Sequence, residues 1–128
     1  MEKEAEGGLR VAGGEGSHRF ITTYFLTNIR CPSCLTIERL TEETIRTEFA
    51  DEIKSGLLQW RTINIDAKGN FHYVKDYQLY TKSVIISEVA GGKETRWKNL
   101  PKVWELMGDE GKFRKYLKDE IAAFMAAP

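Results

Sequence analysis

A strand-to-helix junction that carries both cysteines of the chain constrains the fold more than any other feature. The junction reads Arg30-Cys31-Pro32-Ser33-Cys34. The run before it, Phe20–Leu26, is rich in aromatic and β-branched residues and predicts a strand. After it, apolar residues recur at helical spacing, at Ile37, Leu40, Ile45, Phe49 and Ile53. Pro32 suits the first helical position because its fixed φ fits a helix and its missing N–H is not needed there. Cys31 is therefore predicted at the start of a helix, with Cys34 about one turn later.

A thiol at the start of a helix meets unpaired backbone N–H groups and the positive end of the helix dipole, which favour the thiolate. The spacing also lets the two sulfurs form a disulfide across the turn. We therefore interpret the pair as redox-active, with Cys31 as the attacking thiolate and Cys34 as the thiol that resolves the mixed disulfide. Arg30 is expected to favour the thiolate electrostatically.

The cysteine pair has two other interpretations, a zinc site and a structural disulfide. A zinc site needs about four ligands, and the histidines His18 and His72 form no ligand motif with the pair. A purely structural disulfide would stabilise the fold little, because so short a loop restricts the unfolded chain very little. Redox exchange is the interpretation that the motif and its context favour.

Composition limits the partners and the size of the protein. The 128 residues predict one domain with its own core. The chain has 19 basic and 19 acidic side chains, so no overall field attracts it to nucleic acid or to an anionic membrane. No apolar run reaches the length of a membrane span.

The first residues differ in composition from the rest of the chain. Residues 1–18 are acidic and rich in glycine, without apolar periodicity, and are predicted to be a flexible arm before a domain at residues 19–128. The compartment stays open. The protein is expected to be cytoplasmic, or exported with a targeting segment that this sequence lacks.

The predicted order of elements is β-α-β-α-β-β-α. Strands are predicted over 20–27, 57–66, 83–89 and 94–98, and helices over 32–55, 71–80 and 110–126. A short helix with Pro101 in its first turn is predicted to end at Gly108. The first two connections suit right-handed parallel crossovers, and the last two strands suit a hairpin. The class is therefore α/β, with a mixed central sheet and helices on both faces.

Three finer expectations concern single residues. Asn70 is expected to cap the second helix, and Gly56 to end the first. Trp60, Trp97 and Trp104 are expected in the core. The acids of the first helix, Glu38 among them, are expected on a solvated face.

The element order, with its CxxC after the first core strand, resembles thioredoxin over residues 19–125. Asn64-Ile65-Asp66 resembles the Asn/Val/Asp tripeptide of thioredoxins, and Tyr77-Gln78-Leu79 resembles their Tyr-Gly-Val segment. The resemblance implies a thioredoxin-like fold and thiol–disulfide exchange by Cys31 and Cys34.

Longer blocks resemble a small thioredoxin-like family named for a subunit of a nitrophenyl-compound nitroreductase, an arsenic-operon F-type protein. These blocks are Arg30-Cys31-Pro32-Ser33-Cys34 with Thr36-Ile37-Glu38, Val74–Val84, Arg96–Leu100 and Val103–Leu106. The family name implies electron transfer to, or a scaffold for, another subunit, since nothing in the chain resembles a flavin or nicotinamide site.

The chain departs from thioredoxins at three positions. Arg30 replaces a tryptophan, and Phe25 stands where thioredoxins have a buried acid. Ser83 falls where they have a cis-proline, in Lys82-Ser83-Val84. A cis bond before a residue other than proline costs about 3–4 kcal/mol, so a trans peptide is expected.

The sequence therefore predicts a thiol–disulfide oxidoreductase acting on protein or small-molecule disulfides, with no cofactor and no resident metal. Arg30, Pro32, Ser33, Lys82 and Ser83 are expected to support Cys31 and Cys34. The alternative is a binding module that docks a partner subunit or holds a soft metal or arsenic(III) ion between the thiolates.

Overall fold

The structure is a computed structural model, which describes residues 18–79 and 81–127. Residues 1–17 lie outside the described residues, and with them most of the predicted arm. The division of the chain at residue 18 stays a prediction, although His18 is already the first residue of a strand.

The described residues form four strands and five helices. In chain order they are β1 (His18–Leu26), α1 (Pro32–Glu48), α2 (Ala50–Ser55), β2 (Leu58–Asn64), α3 (His72–Asp76), β3 (Ser83–Ala90), β4 (Lys93–Asn99), α4 (Val103–Leu106) and α5 (Glu110–Ala126). The strands make one sheet in the order β2-β1-β3-β4. β1 is parallel to β2 and antiparallel to β3, and β3 and β4 form the predicted hairpin. The first predicted parallel crossover is confirmed, but the second is wrong, because β3 enters the sheet antiparallel to β1 and β2.

The central strand β1 is buried on both of its faces, as its weak alternation predicts. On one face Phe20 and Tyr24 pack with Ile37 of α1 and Leu117 of α5. On the other face Phe25 and Ile85 pack with Tyr77 and Leu79, which follow α3. The predicted α/β class, with a mixed sheet and helices on both faces, is confirmed.

The long helix predicted over 32–55 is interrupted. Phe49 leaves helical geometry, with φ −125° and ψ 35°, and divides the segment into α1 and α2. The side chain of Phe49 is buried in the core. Its own backbone keeps helix-like hydrogen bonds: its N–H donates to the Ile45 carbonyl at 3.0 Å, and its carbonyl accepts the Ile53 N–H at 2.9 Å. Packing of this aromatic ring is therefore accommodated by a bend. Gly56 ends α2 at φ 87°, as predicted.

The second predicted helix is shorter than expected, because Gln78 adopts a left-handed conformation with φ 54°. The Leu79 N–H then bonds the Val74 carbonyl at 2.9 Å, which closes the helix end in a Schellman arrangement. Glycine usually occupies that position, so glutamine gave no signal. The expected cap at Asn70 is wrong: its side-chain amide donates to the Asn64 carbonyl instead, at 3.0 Å.

The tryptophans are less buried than expected. Trp97 is 37% exposed on the edge strand β4, where its ring packs edge-on against Tyr77. Trp60 and Trp104 are partly buried against the core. The core prediction is therefore wrong for Trp97, since an edge strand covers only part of a large ring.

Arg96 of β4 connects the sheet to the end of α5. Its guanidinium donates to the carbonyls of Phe124 and Ala127 at 2.8 Å, lies 4.0 Å from the centre of the Phe124 ring, and pairs with Glu88. Hydrogen bonds from His18 and then Arg96 hold the pKa of Glu88 below its usual value. The carbonyls at the end of α5 are thus satisfied by a cation.

We predict that Arg96→Met lowers the free energy of unfolding by about 1–2 kcal/mol, because the charged donor is lost while the apolar stem is kept. Because the folded pKa of Glu88 is lowered, the pairing stabilises the protein above the unfolded pKa and is lost as pH falls through the folded value. The difference between variant and wild type should therefore shrink in acid. Urea denaturation at neutral and acidic pH measures both effects.

Lys115→Met is the matched control, since Lys115 makes only an exposed pair with Asp119. An equal loss of stability in the two variants would contradict the role given to Arg96.

Candidate redox site

Cys31 and Cys34 are joined by a disulfide at the start of α1, with their Cα atoms 5.0 Å apart. Cys31 is the N-cap residue and is partly exposed, whereas Cys34 is 2% exposed. The Cys34 N–H donates to the Cys31 sulfur at 3.1 Å. This sulfur therefore takes the position of a capping oxygen, where a thiolate would receive a charge-assisted hydrogen bond after reduction.

The loop before Cys31 is held by the end of the neighbouring strand. The Asn28 N–H donates to the Asp66 carboxylate at 2.8 Å, and the Asn64 side-chain amide donates to the Asn28 side-chain oxygen at 2.8 Å. The Ile65 N–H bonds the Leu26 carbonyl at 2.9 Å. Asn64-Ile65-Asp66 thus anchors the segment that leads from β1 into the cysteine pair.

Arg30 forms an ion pair with Glu38, one turn beyond Cys34 on α1. Both side chains are partly exposed, at 38% and 24%. The positive charge beside Cys31 is therefore partly balanced by a carboxylate. Glu38 does not simply face solvent, as the sequence had suggested, but belongs to the surroundings of the site.

Tyr24 reaches the site from the central strand. Its hydroxyl donates to the Cys34 carbonyl at 3.1 Å, and the residue is fully buried. Burial, and then the negative charge of Glu38, raise the pKa of Tyr24 to about 12, against an opposing effect of Arg30. The phenol is therefore neutral at physiological pH and acts as a hydrogen-bond donor.

The other residues of the motif lie on the same turn. Pro32 is the first residue of α1, as predicted, and is exposed. Ser33 follows it and is partly buried. Neither residue adds a charge to the site.

Ser83 begins β3 opposite Phe25 of β1, at the end of the sheet from which the chain leads to Cys31. Its hydroxyl donates to the Thr81 carbonyl at 2.8 Å, and the residue is 6% exposed. The carbonyl of Lys82 accepts the indole N–H of Trp104 at 2.8 Å. The loop that carries these predicted supporting residues is thus tied to α4, and the Ser83 hydroxyl adds one bond within the loop.

Phe25 is buried in the smaller apolar cluster, on the face of the sheet opposite α1. The resemblance aligns Phe25 with a buried acid of thioredoxins. Unlike that acid, the phenyl ring of Phe25 cannot exchange a proton.

Apolar side chains flank the disulfide at the surface. Ile29 is 69% exposed two residues before Cys31, and Leu35 is 47% exposed directly after Cys34. Within residues 18–79 and 81–127, no cluster of three or more histidine, cysteine or acidic side chains is arranged to hold a metal ion. In the same part of the chain, no helix is long and apolar enough to cross a membrane.

The fold is thioredoxin-like: a CxxC pair begins the helix after the central strand, and the sheet has the order β2-β1-β3-β4 with only β1 and β2 parallel. No protein-family model and no curated protein matches the sequence.

Structure comparison finds thioredoxins. A thioredoxin from Thermus thermophilus has 13% identity and a TM-score of 0.47, covering 80% of this chain and 74% of that one. A thioredoxin from Trypanosoma brucei brucei has 21% identity and a TM-score of 0.44, covering 81% and 76%. Oxidised thioredoxin O2 from Arabidopsis thaliana has 14% identity and a TM-score of 0.44, covering 75% and 76%. The strand order and the CxxC pair at the start of α1 define the fold.

Sequence reasoning missed the contact between Tyr24 and Cys34, and the hydrogen bonds of Asn28. Tyr24 belongs to a continuous apolar run, so its pattern shows burial but not the partner of its hydroxyl. The resemblance of Asn64-Ile65-Asp66 to a thioredoxin tripeptide was a usable signal that these side chains have a role near the site.

We predict that Cys31 reacts with iodoacetamide at least about 10-fold faster than Cys34 near neutral pH, because Cys31 is accessible at a helix N-terminus and Cys34 is buried. The measurement uses the single-thiol variants Cys34→Ser and Cys31→Ser, in which only Cys31 or only Cys34 remains. Guanidinium-unfolded samples serve as the control and should react at similar rates. Equal rates in the folded variants would contradict the assignment of roles.

Proposed function

We propose that this protein is a thiol–disulfide oxidoreductase whose reacting groups are Cys31 and Cys34. The observation that carries the proposal is the asymmetric pair: one sulfur is accessible and capped by a helix N–H, and the other is buried one turn away. Such a pair separates the roles of attacking thiolate and resolving thiol.

In the reducing direction, the Cys31 thiolate attacks one sulfur of a substrate disulfide and forms a mixed disulfide, and the other substrate sulfur leaves as a thiolate. Cys34 then loses its proton to solvent and attacks the Cys31 sulfur. The second substrate thiolate leaves, and the Cys31–Cys34 disulfide closes. Two electrons pass to the substrate, and the reverse sequence oxidises a dithiol.

The surface around the pair suits a polypeptide substrate. Ile29 and Leu35, close to the cysteines in sequence, expose apolar area that a partner carrying the target disulfide can cover. Arg30 and Glu38 add a charged pair next to this area. We propose the disulfides of a narrow range of partner proteins as the main substrates, with small disulfides also able to reach Cys31.

The resemblance to the nitroreductase subunit suggests a narrower role within the same chemistry. In that role the dithiol of this chain passes electrons to a reductase subunit, on which the hydride-carrying cofactor would reside. The alternative function, a module that holds a soft ion, has one observation in its favour. Ser83, opposite Phe25 at the end of β1, stands where thioredoxins have a proline that lies against the disulfide. Without that ring, nothing at this position would keep an ion from bridging two free thiolates.

The experiment measures catalysis of disulfide reduction by dithiothreitol, with two substrates. We predict clear acceleration with the small disulfide bis(2-hydroxyethyl) disulfide, and slow turnover with insulin because the loop at Ser83 lacks the proline of a general reductase. Cys31→Ser should abolish both activities. Failure of the wild-type protein to accelerate the small-disulfide reaction would refute the oxidoreductase proposal.

The variant Ser83→Pro tests the loop in the same assay. It should raise insulin turnover and weaken the binding of zinc or arsenite to the reduced protein. The Ser83 hydroxyl bonds only its own loop, so Ser83→Ala is the matched control and should leave both properties unchanged. Fast insulin turnover by the wild type, with no metal uptake when reduced, would show that the loop does not restrict the substrate range.

A further inference from the structure

Tyr24 contacts the redox turn from within the core. It lies on β1, four residues after Phe20 along the strand, and is 0% exposed. Its hydroxyl reaches the carbonyl of Cys34 at 3.1 Å, on the first turn of α1. The hydrogen bond therefore joins the central strand of the sheet to the backbone of the proposed resolving cysteine.

The carbonyl of Cys34 does not need this partner to be satisfied. In a regular helix it already accepts the amide N–H four residues later, at Glu38, and a carbonyl oxygen has a second lone pair for another donor. The tyrosine hydroxyl thus adds a second bond to a group whose requirement is met. Its consequence is positional, because it fixes where the first turn of the helix lies relative to the sheet.

Reduction removes the covalent constraint on this turn. While the disulfide is closed, Cys31 and Cys34 hold each other across 5.0 Å between their Cα atoms. In the mixed disulfide, Cys31 is bonded to the substrate, and the disulfide no longer holds Cys34. Its place in α1, its burial, its N–H bond to the Cys31 sulfur and the bond from Tyr24 then keep Cys34 in position.

We propose that Tyr24 is a positioning residue for the resolving step, which keeps Cys34 aimed at the Cys31 sulfur while the mixed disulfide exists. The inference rests on the proposed thiol–disulfide exchange. The ring of Tyr24 packs in the core, and its hydroxyl positions Cys34 through the bond to the Cys34 carbonyl. Neither group touches the substrate.

The neighbouring charges favour a phenol that stays protonated and so stays a donor. Burial and the Glu38 carboxylate raise the pKa of Tyr24, while Arg30 opposes them. The ion pair of Arg30 and Glu38 spans the same turn at the surface, as Tyr24 does from inside. The turn that carries both cysteines is therefore held on two sides.

The test uses 5,5′-dithiobis(2-nitrobenzoate) to separate the two chemical steps. Each step releases one coloured nitrothiobenzoate. First, the Cys31 thiolate attacks the reagent and the first nitrothiobenzoate leaves. Then the Cys34 thiolate attacks the Cys31 sulfur, the second leaves, and the protein disulfide closes. The reduced protein is mixed with the reagent in a stopped-flow instrument, and the two phases are resolved.

Tyr24→Phe keeps the ring and removes only the hydroxyl, so the protein should fold. We expect its second phase to be slower by about 5- to 10-fold, since an intramolecular attack depends strongly on alignment. The first phase should be unchanged. Tyr77→Phe is the matched control, because Tyr77 is a buried tyrosine on the other sheet face whose hydroxyl bonds Glu94 at 2.6 Å.

If Tyr24 were merely structural, both tyrosine variants would have a lower melting temperature, and the rate of the second phase would not fall relative to the first. An unchanged second phase in Tyr24→Phe, or an equal slowing in Tyr77→Phe, would overturn the role of Tyr24 and leave the proposed function standing. Release of only one nitrothiobenzoate per wild-type chain would instead overturn the proposed function, and the role of Tyr24 with it.

Discussion

The pairing of β1 with a parallel strand on one side and an antiparallel strand on the other determines where the site lies. The parallel partner brings Asn64 to the C-terminal end of β1, and the antiparallel partner brings Ser83 to the same end. The chain leaves β1 at that end and enters α1, so the cysteine pair begins a helix beside two loops of the sheet. Because β1 is buried on both faces, its position cannot change without disturbing both apolar clusters.

The two sulfurs of the pair lie in different environments. Cys31 caps the helix, and its sulfur receives a backbone N–H, whereas Cys34 packs into the core side of the same turn. A helix N-terminus stabilises negative charge on the first sulfur, and burial disfavours it on the second. Arg30 adds positive charge, but Glu38 balances part of it. The asymmetry of the pair therefore follows from the position of Cys31 at the helix start and from the burial of Cys34.

Much of the framework was predictable because it depends on patterns that repeat along the chain. The bounds of α5 match the prediction, since its apolar residues recur at one helical spacing and Asp109 caps its start. The lengths of the connections predicted the parallel crossover from β1 to β2 and the β3–β4 hairpin, but they wrongly predicted a second parallel crossover, because length does not fix the direction in which β3 enters the sheet. The bend at Phe49 and the end of α3 at Gln78 were not predictable, because each depends on a side chain or backbone conformation that only the core selects.

For the candidate site, the sequence by itself determined the cysteine spacing, the proline at the helix start and the absence of proline and acid at Ser83 and Phe25. These features are local, so composition and order suffice to define them. Only the tertiary structure decided that Tyr24 donates to Cys34, that Asp66 holds the loop at Asn28 and that Glu38 pairs with Arg30. A hydrogen bond between residues far apart in sequence depends on the packing that brings them together, and no local pattern encodes its partner.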